Sequence, residues 1–185
     1  MSAPILPSAF DRCIHADLLD DLGRSQPAGD AAETTGFVAG TRVATPMGYV
    51  AVERLSAGDR VLTADGRHSP LAAVAMSCCP VTPATAPVRF ETGVMDNMRP
   101  LRLGQGQRVR MSGWRAELIF DAPALLSGAR AFVNGEDVVI EDEPGEITFV
   151  QLTCERPEIV LAENIACETL SPVQEVSDRF ELMDR

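Results

Sequence analysis

The chain has 185 residues, 45% hydrophobic and 23% charged, which suits one soluble globular domain with tails. Its formal net charge is −11, so it repels phosphate backbones and anionic bilayers, and no basic stripe offsets this; nucleic acid and membranes are excluded as expected partners, while a protein partner stays open. No run approaches the roughly 20 apolar residues of a membrane span. The start, MSAPILPSAFDRCIHADLLDD, lacks the charged n-region and apolar core of a signal peptide. A cytoplasmic location is the default expectation, with export through a C-terminal signal left open.

In chain order, residues 1–35 read as a leader. Its end, SQPAGDAAETT, is small, polar and turn-rich, as a linker is. From Thr41 short alternating runs are punctuated by turns, the pattern of an all-β fold with many hairpins. Thr41–Thr45 reads as a strand, Pro46-Met47-Gly48 as a turn, and Tyr49–Val52 as the returning strand. Arg60–Thr63 leads to Asp65-Gly66, a strong hairpin signal, and Leu71–Met76 follows. Residues 78–87 read as a proline-broken loop. Val88–Phe90, Leu101–Leu103 and the alternating Arg108–Met111 read as further strands. Glu117–Phe132, rich in Ala and Leu, is the single expected helical region, with Asp121 near its cap, Pro123 in its first turn and Asn134-Gly135 closing it. Ile147–Thr153, Glu158–Leu161 and Cys167–Leu170 close the domain, and 173–185 form a charged tail.

Four segments, in order, resemble the bacterial Hint (Hedgehog/intein) domain. The first pairs Gly40-Thr41-Arg42-Val43-Ala44-Thr45-Pro46 with Gly58-Asp59-Arg60-Val61-Leu62-Thr63. The second runs from Pro87-Val88-Arg89-Phe90 to Asn97-Met98-Arg99-Pro100-Leu101-Arg102-Leu103, and the third from Ala124 to Gly135. The fourth joins Thr148–Leu152, Ala162-Glu163-Asn164 and Glu168-Thr169-Leu170. The resemblance covers 36–172. It implies an all-β fold, a pseudo-twofold disc of many short or curved antiparallel strands with one short helical region, and self-cleavage through an acyl shift.

That reaction starts when the first residue's thiol or hydroxyl attacks the preceding carbonyl, while a histidine protonates the departing amide nitrogen. The resemblance places Gly36 at the nucleophile position, Gln107 at that histidine and Gln151 at a second family histidine. Glycine has no nucleophile, and glutamine does not shuttle a proton near pH 7. The expectation is a degenerate, inactive domain with a structural or binding role. Two alternatives stand beside it. One is residual self-cleavage using Thr35 or a cysteine out of alignment, with Cys167 the nearest candidate. The other is a small β binding module unrelated to the family.

The remaining candidates carry less. Five cysteines in odd spacing make neither a disulfide framework nor a zinc site, so no metal or cofactor is expected. Cys78-Cys79, if exposed in its loop, offers redox or soft-metal chemistry, with a bland loop as the default. Cys154 reads as a buried small hydrophobe, His68 as a solvated loop residue and His15 as part of the leader. Tyr49 and Trp114 read as core or rim aromatics. Glu91-Thr92-Gly93 echoes an aspartic-protease Asp-Thr-Gly with the wrong acid.

Overall fold

The computed structural model describes residues 34–172. Most of the expected leader and the charged tail lie outside them.

Strands dominate, as the punctuated alternation requires. β1 (Phe37–Val38) and β2 (Arg42–Thr45) are followed by β3 (Gly48–Ala51), which returns across the Pro46-Met47 turn with Thr45 opposite Gly48. A 3-10 turn at Val52–Arg54 leads to β4 (Arg60–Leu62) and β5 (His68–Pro80). Then come β6 (Val88–Phe90), β7 (Leu101–Leu103) and β8 (Arg108–Ser112). The helix α1 (Trp114–Phe120) precedes β9 (Ala124–Gly128), a 3-10 turn at Ala129–Phe132 and β10 (Val138–Ile140). β11 (Glu146–Cys154), β12 (Ile159–Ala162) and β13 (Ile165–Glu168) close the domain.

These form two antiparallel sheets. One has the order β10-β6-β7-β1-β11-β5-β4 and the other β3-β2-β12-β13-β8-β9. Phe37, Phe90, Leu103, Phe132, Val150 and Leu152 are central to one continuous core. Phe90 and Phe132 meet at 6.1 Å between ring centroids with planes tilted by 53°, a favourable aromatic geometry.

Three expectations need correction. The Glu117–Phe132 helix is instead the short α1, ending where Asp121 turns into a left-handed conformation at φ 51°, and a strand. Ala124–Gly128 pairs with Ser112–Arg108 residue for residue, and this cross-strand pairing overrides the helical composition. The loop expected from Cys78 is the end of β5, with Cys78, Cys79 and Pro80 opposite Thr148, Ile147 and Glu146. His68, expected in a loop, opens the same strand and is exposed. Trp114 is 61% exposed, and Tyr49 lies on the rim beneath the Arg42 guanidinium, 5.5 Å from its ring centroid.

The hairpin joining β12 to β13 matters beyond its size. Glu163 and Asn164 both take positive φ, at 45° and 78°, the backbone of a two-residue turn that matches strand twist. Glutamate is a poor occupant of that conformation. It is held there because its buried carboxylate accepts two bonds from the Arg42 side chain and a third from the Arg42 amide, while its own amide donates to Arg42 O at 2.9 Å.

Candidate functional site

β1 is only two residues long, yet it inserts between β7 and β11, with Phe37 opposite both Leu103 and Val150. The segment Thr34-Thr35-Gly36 therefore enters the sheet along a fixed track. The Gly104 amide donates to Gly36 O at 2.9 Å and the Gly106 amide donates to Thr34 O at 3.0 Å. Thr34 Oγ1 donates to Ala84 O. The approach is so close that a Cβ on Gly104 would lie 2.2 Å from Thr34 O, so only glycine fits there.

The Thr35–Gly36 peptide bond lies between two glutamines. On one side the buried Gly36 N–H donates to Gln107 Oε1 at 3.1 Å. Gln107 Nε2 in turn donates to Glu168 O at 2.7 Å and Arg108 O at 3.3 Å. Those partners fix which way the amide points, because an N–H needs an acceptor and two carbonyls need a donor. Gln107 thus presents an acceptor, not a donor, to the nitrogen of this peptide. On the other side Gln151 Nε2 donates to Thr35 Oγ1 at 2.9 Å and stands 3.5 Å from Thr35 O. Gly36 itself has φ +115°, outside the range of ordinary L residues, and an added Cβ would lie 3.0 Å from Val150 O and 3.2 Å from Gln151 Cγ.

The structure brings Thr35, Gly36, Gln107 and Gln151, positions far apart in sequence, around one peptide bond. Cys167 adjoins them through the chain, one residue before Glu168, and pairs with Val109 in β8. It is fully buried, and burial pushes its thiol far above the usual range, so it stays protonated. Cys154 is buried as well. Cys78 and Cys79 are successive residues of a strand, so their side chains leave opposite faces and do not converge on one ligand. Among the described residues no cluster of His, Cys, Asp and Glu could hold a metal, and no helix is long and apolar enough to cross a membrane.

Sequence reasoning passed over two parts of this site. Gly104 is the residue of closest approach. Gln105, 1% exposed, is saturated: its Nε2 donates to Pro83 O and Ala86 O, and its Oε1 accepts from Arg130. The signal was the run Gly104-Gln105-Gly106-Gln107, in which two glycines flank a buried amide and another follows. Glycines so spaced mark backbone approaching backbone.

A family model described as the Hint domain matches residues 35–174. Among solved structures, the MchDnaB-1 intein crystal structure is 14% identical, covering 72% of this chain and 98% of its own, with a TM-score of 0.48. The solution structure of a bacterial intein-like domain from Clostridium thermocellum is 15% identical, covering 74% and 99%, with a TM-score of 0.47. No curated protein matches the chain. With the family match spanning the described strands from β1 to β13, the chain belongs to the Hint-domain family.

Proposed function

We propose that this Hint domain does not cleave itself, and that its ancestral reaction centre serves as a clamp that ties the segment entering at Thr34–Gly36 into the sheet. The domain then acts as a structural or binding scaffold. The observation that carries this reading is the Gly36 N–H donating to Gln107 Oε1. An acyl shift needs a nucleophile at residue 36 and a proton for the departing nitrogen. Here residue 36 has no side chain, and the group facing its nitrogen accepts a hydrogen bond with its only N–H donors engaged elsewhere. Losing several members of a catalytic unit leaves little residual rate. Family membership removes the reading as an unrelated β module.

One feature favours residual cleavage through Thr35. The Thr34 carbonyl, which Thr35 Oγ1 would attack, accepts from the Gly106 amide, a donor of the kind that steadies a developing oxyanion. Against it, Thr35 Oγ1 already accepts from Gln151, which cannot take its proton.

Intact-mass spectrometry of the full chain after long incubation with a thiol tests both. The expected result is a single unchanged mass. A fragment ending at Thr35 overturns the inactive reading, and one ending at Thr34 establishes Thr35 as the nucleophile.

A further inference from the structure

β5 has two different halves. His68–Pro70 pair with β4, and Leu71 is bonded on the same side, its N–H donating to Asp59 O and its C=O accepting from the Gly58 amide, both at 2.8 Å. Beyond Leu71, β5 pairs only with β11 among the described strands. Ala72–Pro80 is therefore an open sheet edge among the described residues.

Strand alternation shows which groups it presents. Thr148 O accepts from Ala39 N and Leu152 O from Leu170 N, both on the side of β11 away from β5. In an antiparallel ladder the residues opposite such positions also turn their amides outward. Those are Cys78 and Val74, with Met76 between them opposite Val150. Pro80, opposite Glu146, falls in the same outward series, so its missing N–H costs no ladder bond. On the face they share with the buried Val150 and Leu152, Met76 is 63% exposed. Edge strands are usually blunted with charge. This one is not: no Asp, Glu, Lys or Arg occurs between Arg67 and Arg89, in a chain of net charge −11.

We infer that the occupant of this edge is a second copy of the chain, paired antiparallel about a twofold axis at Met76. The free edge is closed at one end by the bonds at Leu71 and at the other by Pro80, and its midpoint is Met76. In that register Met76 faces Met76 of the second copy and Val74 faces Cys78, so all three outward amides are used, and Pro80 falls at the end beside the bulge at Ala72. Two copies meet there with no like charges opposed. A cationic partner drawn by the acidic surface elsewhere finds no carboxylate in this stretch.

Sedimentation velocity of the full chain over a range of concentrations, with amide hydrogen exchange, tests the inference. The expected result is a monomer–dimer equilibrium with protection of Val74, Met76 and Cys78 that rises with concentration. Met76→Lys sets like charges opposite each other on an exposed site; it should weaken dimerisation more than tenfold without changing circular dichroism or melting of the monomer. Protection independent of concentration in a monomer means another segment of the same chain lies on the edge, and overturns the inference. So does an unprotected edge, or a dimer that Met76→Lys leaves intact.

Discussion

The Thr34–Gly36 crossing and the Arg42–Glu163 pair both join segments far apart in sequence through polar contacts at buried groups, but one is made of amides and the other of charges. The amide cluster holds glutamine, threonine and glycine, none of which titrates. The charged pair is different. Burial pushes the Glu163 carboxyl up, but bonds from the Arg42 side chain and amide and the attraction of Arg42 and Arg99 outweigh it and hold the carboxyl below its ordinary 4.5. Reaction centres collect perturbed titratable groups, because proton transfer requires them. In this fold Glu163 serves a hairpin, while the groups bonded around the Thr35–Gly36 peptide are neutral amides and a hydroxyl.

The comparison can be broken first at Gly104. Gly104→Ala drives a methyl into Thr34 O and should cost about 3 kcal/mol or more, lowering the melting temperature by roughly 6–12 °C, as calorimetry would read. The charged side comes next. Glu163→Gln should cost about 2 kcal/mol at neutral pH. Because the folded-state value of Glu163 lies below its unfolded one, its contribution is present above about pH 4.5 and fades as pH falls through the folded value. Urea titrations across that window should therefore show a shallower acid limb in Glu163→Gln than in the parent. A residual slope is expected from Asp65, whose bonds from Thr63 and Arg67 push it down to about 2. The smallest effect belongs to the amide side. Gln107→Leu strands the Gly36 N–H and the Glu168 carbonyl and should cost about 1–2 kcal/mol, unchanged between pH 4 and pH 7. A pH-dependent cost there would show that the centre still carries a titrating group.

Much of this was legible in the sequence. The strands around Gly58–Thr63, Val88–Phe90 and Arg108–Met111 follow from period-two alternation and turn chemistry, and the residues around the Thr35–Gly36 bond follow from the resemblance. What escaped depends on partners. Ala124–Gly128 has helical composition and becomes a strand because β8 offers it a ladder. Pro80 reads as a breaker, yet it sits in a strand because the outward side of an edge needs no donor from it. β1 is too short to show any periodicity and exists because β7 and β11 leave a slot for it. Gly104 gives no signal of its own beyond a neighbouring glycine, since the close approach involves a carbonyl seventy residues away in sequence.

The conformation of Gly36 decides what a side chain at residue 36 would meet. At φ +115°, with its nitrogen bonded to Gln107 and its carbonyl bonded to Gly104, the backbone is shaped around the absence of a side chain. Gly36→Cys alone places a Cβ 3.0 Å from Val150 O in a conformation that L residues avoid. Turning the backbone to relieve that strain strains one of the two hydrogen bonds that seat the segment. A single substitution at residue 36 is therefore strained whatever side chain it brings. The seating of this segment and the glycine at its centre are thus a single feature: the backbone that makes both hydrogen bonds is one that leaves no room for a side chain.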